Sequence, residues 1–179
     1  AVMGSLMART IPGEKGWMRP DDIRKAIRAD NIHYPRTSLV CIENTHNSAG
    51  GIALTPKQMK SNWDVAKEHS LGVHLDGARI FNAAVALKVD VKELAQYTDT
   101  IQICLSKGLS APVGSIVVGT EDLVKRARKY RKMLGGGMRQ AGIIAAPGIL
   151  ALTKMVDRLD DDHKNAKLLA AGLQKMGIK

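Results

Sequence analysis

Apolar residues along this chain fall into two rhythms. Short, dense runs occur at Ser38-Leu39-Val40-Cys41-Ile42-Glu43, Gly72-Val73-His74-Leu75, Thr98 to Lys107, and Val113 to Val118. Their length and β-branched content predict strands. Between them the spacing lengthens to three and four. Met59, Trp63 and Ala66 share one face of a helix that Thr55 caps, Pro56 begins and His69 ends. Pro20-Asp21-Asp22 opens a helix to about Ala29, with proline near the first position and acids in the first turn. Further helical patterns cover Ile80 to Ala86, Val91 to Tyr97, Glu121 to Lys132, Met138 to Val156 and Asp162 to Lys175. Gly135-Gly136-Gly137 is the clearest breaker among the last three, and Pro12-Gly13 marks an early turn. Ala166, Leu169, Leu173 and Met176 form a stripe that reads as ordinary core packing.

Strand, helix, strand, helix, strand is the order of parallel strands joined by crossovers. The run at Val113 follows Lys107 too closely for a crossover of about a dozen residues, so that strand is expected to run antiparallel. The fold class is therefore α/β, with a mostly parallel sheet, one antiparallel strand and flanking helices. At 179 residues the chain is long enough for one core, and no linker-like break divides it. It reads as a single domain or a piece of one, and its opening, Ala1-Val2-Met3, starts mid-pattern like a cut chain. Cys41 and Cys104 each sit in an apolar run, where a thiol acts as a small hydrophobe; they carry no metal spacing and suggest a reducing compartment. No segment nears the roughly 18 apolar residues of a membrane span, and no leader pattern is present, so a cytoplasmic location is expected.

Charge adds one question. The formal net charge is +10, from 27 basic and 17 acidic residues, with its densest cluster at Lys125 to Lys132. Such clusters attract phosphates, but aromatics for base stacking are scarce and no nucleic-acid motif occurs. A partly solvated helix face is the better reading, leaving some cations to meet a small phosphate.

Chemistry concentrates where strands end. In an open parallel sheet, ligands bind outside the carboxyl ends of the strands. Three such ends deliver His46, the Asp76/Arg79 pair and Lys107 to one edge. Singly, each has an ordinary explanation: Asp76 as a turn or cap residue, Arg79 as its ion-pair partner, His46 as a hydrogen-bonding loop residue. Lys107, at the close of a buried run, needs a paired charge or a use for its amine. Together they suit pyridoxal 5′-phosphate, which takes a lysine amine at its carbonyl and an acid near its ring nitrogen, so that the protonated ring draws in electrons.

Four motifs then carry a family resemblance. They are Glu43-Asn44-Thr45-His46-Asn47; His74-Leu75-Asp76-Gly77-Ala78-Arg79-Ile80-Phe81-Asn82; Cys104 to Leu109 with Pro112-Val113-Gly114-Ser115; and Gly135 to Gln140. In this order and at these separations, over essentially the whole chain, they resemble the low-specificity L-threonine aldolases, aspartate-aminotransferase-like fold type I pyridoxal phosphate enzymes. The resemblance implies Lys107 as the Schiff-base lysine, Asp76 at the pyridine nitrogen, and Arg79 beside the ring and substrate. His46 is implied near the substrate's β-hydroxyl, as direct base or as a positioning group with a water. Lys132 and Arg139 are implied at the cofactor phosphate of a neighbouring subunit, which makes the protein an obligate homo-oligomer such as a homotetramer, with shared sites. The implied reaction is cleavage of L-threonine or L-allo-threonine to glycine and acetaldehyde. Residues 1–160 would then be part of the cofactor-binding large domain, and 161–179 the start of the connection to a small domain. Family members continue in both directions, carrying a ring-stacking residue, a phosphate loop and a carboxylate-binding arginine; the 179-residue chain alone is expected to be weakly active or inactive. The alternatives are another fold type I lyase and a non-catalytic fragment or basic binding module.

Overall fold

A computed structural model describes residues 4–178, so the Ala1-Val2-Met3 opening lies outside the described residues. The element order is α1 (Pro20–Ala26), β1 (Leu39–Glu43), α2 (Pro56–Glu68), β2 (Gly72–Asp76), α3 (Ile80–Leu87), α4 (Val91–Ala95), β3 (Thr100–Cys104), β4 (Ser115–Gly119), α5 (Glu121–Met133), α6 (Gly142–Lys154) and α7 (Leu159–Lys175). The strands lie in sequence order, β1-β2-β3-β4. β1 pairs with β2, and β2 with β3, in parallel; β4 runs antiparallel to β3, as its short connection requires.

The local chemistry of the helix starts is explicit. Thr55 accepts from the Gln58 amide at 3.3 Å while Gln58 Oε1 accepts from the Thr55 amide at 2.9 Å, a capping box on a helix that begins with proline. Asp90 and Glu93 form the same box on α4. Two core clusters result. Val40, Ile42, Val73, Leu75, Ile101 and Ile103 project from one sheet face into Ile23, Met59, Val65, Ala66, Ile80, Ala83 and Leu94 of α1 to α4. Leu105, Leu109 and Ala111, just past β3, pack with Ala151 of α6 and Leu159 of α7. At about 25 cal/mol per Å² of apolar surface, the first cluster is the larger source of stability.

Four expectations are corrected. The early turn is at Lys15-Gly16, with φ of 52° and 84°, rather than at Pro12-Gly13; Glu14 and Trp17 exchange both backbone bonds across it. Two successive positive φ values close a two-residue turn whose twist matches paired strands. Cys41 is exposed, because strand alternation puts it on the sheet face away from α1 to α4, opposite Val40 and Ile42. Cys104 lies on that same face and is half-buried. The α7 stripe of Ala166, Leu169, Leu173 and Met176 is exposed as well, since α7 buries only Leu159 at its start. The helical period correctly groups these side chains, but no described element covers them. Lys107 is the fourth case: β3 stops at Cys104, and the lysine stands exposed in the following turn rather than buried at a strand end.

Candidate active site at the carboxyl edge of the sheet

Parallel register aligns the strand ends. Glu43 is opposite Asp76, and Asp76 opposite Gln102, so the segments leaving β1, β2 and β3 emerge side by side. The β1 segment is the most structured. Asn44, fully buried, donates to the Leu54 carbonyl at 3.0 Å and accepts from the Leu54 amide at 3.0 Å. One side chain thus substitutes for a ladder partner and staples both ends of the loop together. Inside it, Asn47 to Ala49 form one 3₁₀ turn, with His46 as the cap.

His46 is held at three points. Its amide donates to Ile52 O at 2.9 Å, its carbonyl accepts from the Gly51 amide at 3.0 Å, and ring Nδ1 accepts from the Ala49 amide at 3.2 Å. A neutral ring whose Nδ1 accepts must carry its proton on Nε2. That nitrogen lies 3.8 Å from Glu43 Oε2, while Glu43 Oε1 accepts from the Asn47 amide at 2.9 Å. Neutral His46 is therefore an Nε2–H donor at this edge.

The loop is joined to the next strand end by a side-chain bond. Arg79 Nη1 donates to Asn47 Oδ1 at 3.1 Å. Asp76 is exposed, and its Oδ1 accepts from the Ala78 amide at 3.0 Å, a local turn that leaves the second oxygen unbonded among the described residues. Arg79 does not pair with Asp76, contrary to the ordinary reading of that spacing; the guanidinium reaches across to the His46 loop instead.

Lys107 follows β3 in a tight turn closed by the Ser110 amide on the Lys107 carbonyl at 2.9 Å. Gly108 makes that turn possible, because a Cβ there would stand 2.8 Å from Leu159 Cδ2 and 3.2 Å from Asn82 Oδ1. The lysine amine has no hydrogen-bond or ion-pair partner among the described residues. His46, Asp76, Arg79 and Lys107 thus share one edge. Lys132 and Arg139 do not join them through any bond among the described residues: Lys132 is at the exposed end of α5, where its aliphatic stem covers Gly137, and Arg139 lies between α5 and α6. Asn44, Glu43 and Asn47 are the positioning residues that strand-end reasoning passed over; the polar pair Glu43-Asn44 closing an apolar run was the available signal for Asn44.

The family model described as beta-eliminating lyase matches residues 1–179. The low specificity L-threonine aldolase of Escherichia coli strain K12 is 48% identical over 178 residues, covering 99% of this chain and 53% of that protein. A solved threonine aldolase from Leishmania major superposes with a TM-score of 0.78 at 26% identity, over 95% of this chain and 51% of that one. An aspartate aminotransferase from Thermus thermophilus shares the fold, with a TM-score of 0.64 at 17% identity over 89% of this chain and 42% of that one. The chain spans about half the length of the curated relatives it matches.

Proposed function

The chain belongs to the beta-eliminating lyase family, and on that basis we propose that the protein containing it cleaves the Cα–Cβ bond of L-threonine or L-allo-threonine, giving glycine and acetaldehyde. The observation that carries this reading is the convergence of Lys107, Asp76, Arg79 and His46 on one sheet edge, with Lys107 and Asp76 both open to solvent. An amine, an open carboxylate and a guanidinium fit pyridoxal 5′-phosphate by the chemistry of the donor set. Lys107 would hold its carbonyl carbon, Asp76 its ring nitrogen, and Arg79 the ring's oxygen or the substrate carboxylate. When bound, the cofactor supplies the electron sink for breaking the carbon–carbon bond.

The protein's own residues supply position and proton control. Asp76 is fixed by the Ala78 amide, so its charge meets a cationic ring without rotamer search. Arg79, tethered to Asn47, ties the substrate-binding cation to the His46 loop. His46 presents Nε2–H, which suits it to hold the substrate's β-hydroxyl oxygen, with a water taking the hydroxyl proton. Lys132 and Arg139 serve the phosphate of a neighbouring subunit in a homo-oligomer. Residues 1–160 belong to the large domain, and 161–179, which hold most of α7, lead into a small one.

Borohydride treatment of the full-length protein with pyridoxal 5′-phosphate, followed by peptide mapping, tests the assignment. The expected result is a reduced adduct on Lys107 and acetaldehyde release from threonine. An adduct on Lys107 without acetaldehyde would redirect the reading to another fold type I lyase, and a folded protein without any adduct would leave a non-catalytic binding module. The isolated chain is expected to show little or no activity.

A further inference from the structure

We propose that Gly16, thirty residues upstream of the loop, positions the His46 imidazole. Gly16 is the second residue of the Lys15-Gly16 turn, at φ 84°. A Cβ built on it would collide with Cβ and Cγ of His46 and lie 2.8 Å from Cδ2. The backbone of the turn therefore rests directly against the ring, which the Ala49, Gly51 and Ile52 bonds hold only from within its own loop. Those bonds hold the backbone and Nδ1 from the loop's side, and the Gly16 backbone stops the Cβ, Cγ and Cδ2 side by contact. A methyl at the ring's base would swing Nε2, at the far end, through a larger arc, and a displacement of about 1 Å at a reacting group costs on the order of a hundredfold.

The inference rests on the aldolase reading for its kinetic arm but not for its structural arm. In the full-length protein with cofactor, acetaldehyde release would be compared for parent, Gly16→Ala, His46→Asn and the double variant. Gly177→Ala is the control, since Gly177 has a similar φ of 77° and nothing within 4 Å of its Cβ among the described residues, so it carries the backbone cost without the Gly16 collision. Gly16→Asn is the second variant: asparagine tolerates positive φ yet brings the same Cβ, so it retains the collision if Gly16→Ala does not fold. Expected are a kcat lowered about ten- to a hundredfold by either Gly16 variant with KM within about threefold, and a further change below about twofold when His46 is already replaced. Histidine-selective ¹⁵N NMR should show the His46 ring signal, assigned by its loss in His46→Asn, displaced in both Gly16 variants and unmoved in Gly177→Ala. An unmoved His46 signal, or an equal kcat loss with and without the His46→Asn substitution, overturns the inference. A displaced signal in a protein that releases no acetaldehyde overturns the aldolase reading and leaves the Gly16 contact standing.

Discussion

Replacing Asn44 with alanine should unfasten the loop that carries His46. The side chain is fully buried and makes two bonds of 3.0 Å, one as donor and one as acceptor, both to the backbone of Leu54, which is 1% exposed. Truncation strands a buried carbonyl and a buried amide together. Each orphaned group costs about 1–3 kcal/mol; the space vacated lets one of the two regain water, so a loss of about 2–4 kcal/mol is expected. Urea unfolding of the full-length protein gives the number, with the slope of the transition monitored to confirm that the change lies in stability. Asn44→Asp is the companion variant. It keeps the acceptor for the Leu54 amide but loses the donor and buries a charge, so it should lose at least as much as alanine. A loss below about 0.5 kcal/mol for Asn44→Ala would refute the account, because it would mean the Leu54 backbone finds partners without the side chain.

Other outcomes follow from the same geometry. Gly108→Ala must push Leu159 Cδ2 from 2.8 Å and disturb Asn82, so it should cost about 1–3 kcal/mol in thermal or urea unfolding and loosen the Lys107 turn. Thr55→Ala removes one half of the α2 capping box and should cost about 1 kcal/mol by the same measurement. On α7, the Lys164 ammonium bonded to Asp160 at 2.7 Å holds that carboxyl below its ordinary 3.8, and the carboxylate raises Lys164 above 10.5. A depressed carboxyl contributes above its unfolded value and loses that contribution as pH falls through its folded one. The difference in melting temperature between parent and Lys164→Met should therefore be small at neutral pH in low salt, and should vanish as the pH falls well below 3.8.

The strands and their directions were legible because each rests on a local rule. β-favouring runs marked all four, and the few residues between Lys107 and Val113 settled that β4 turns back. Asp76, Arg79 and His46 were legible as strand-end residues for the same reason, and Lys107 was read at the right edge though it stands in the turn after β3. What periodicity could not reveal is what lies over a face. It grouped Leu169 with Leu173, and placed Cys41 in an apolar run, but the cover that would bury them is a tertiary fact, and all three are exposed. The Gly16–His46 contact was invisible for a related reason: it joins segments thirty residues apart through the absence of a side chain. Arg79 shows how a spacing rule fails, since a carboxylate three residues away lost to Asn47, presented by a neighbouring loop.

Strand order has a consequence for how the site is born. Among the described residues each strand follows its sheet neighbour in the chain, so none of the four must insert between two already paired. A chain emerging from the ribosome can lay these four strands down one at a time at a single growing edge. The four candidate groups are then delivered in sequence, His46 first, Asp76 and Arg79 with the docking of β2, and Lys107 once β3 has paired. The Lys107 amine is the last of the four to arrive, at an edge whose other members are already in register.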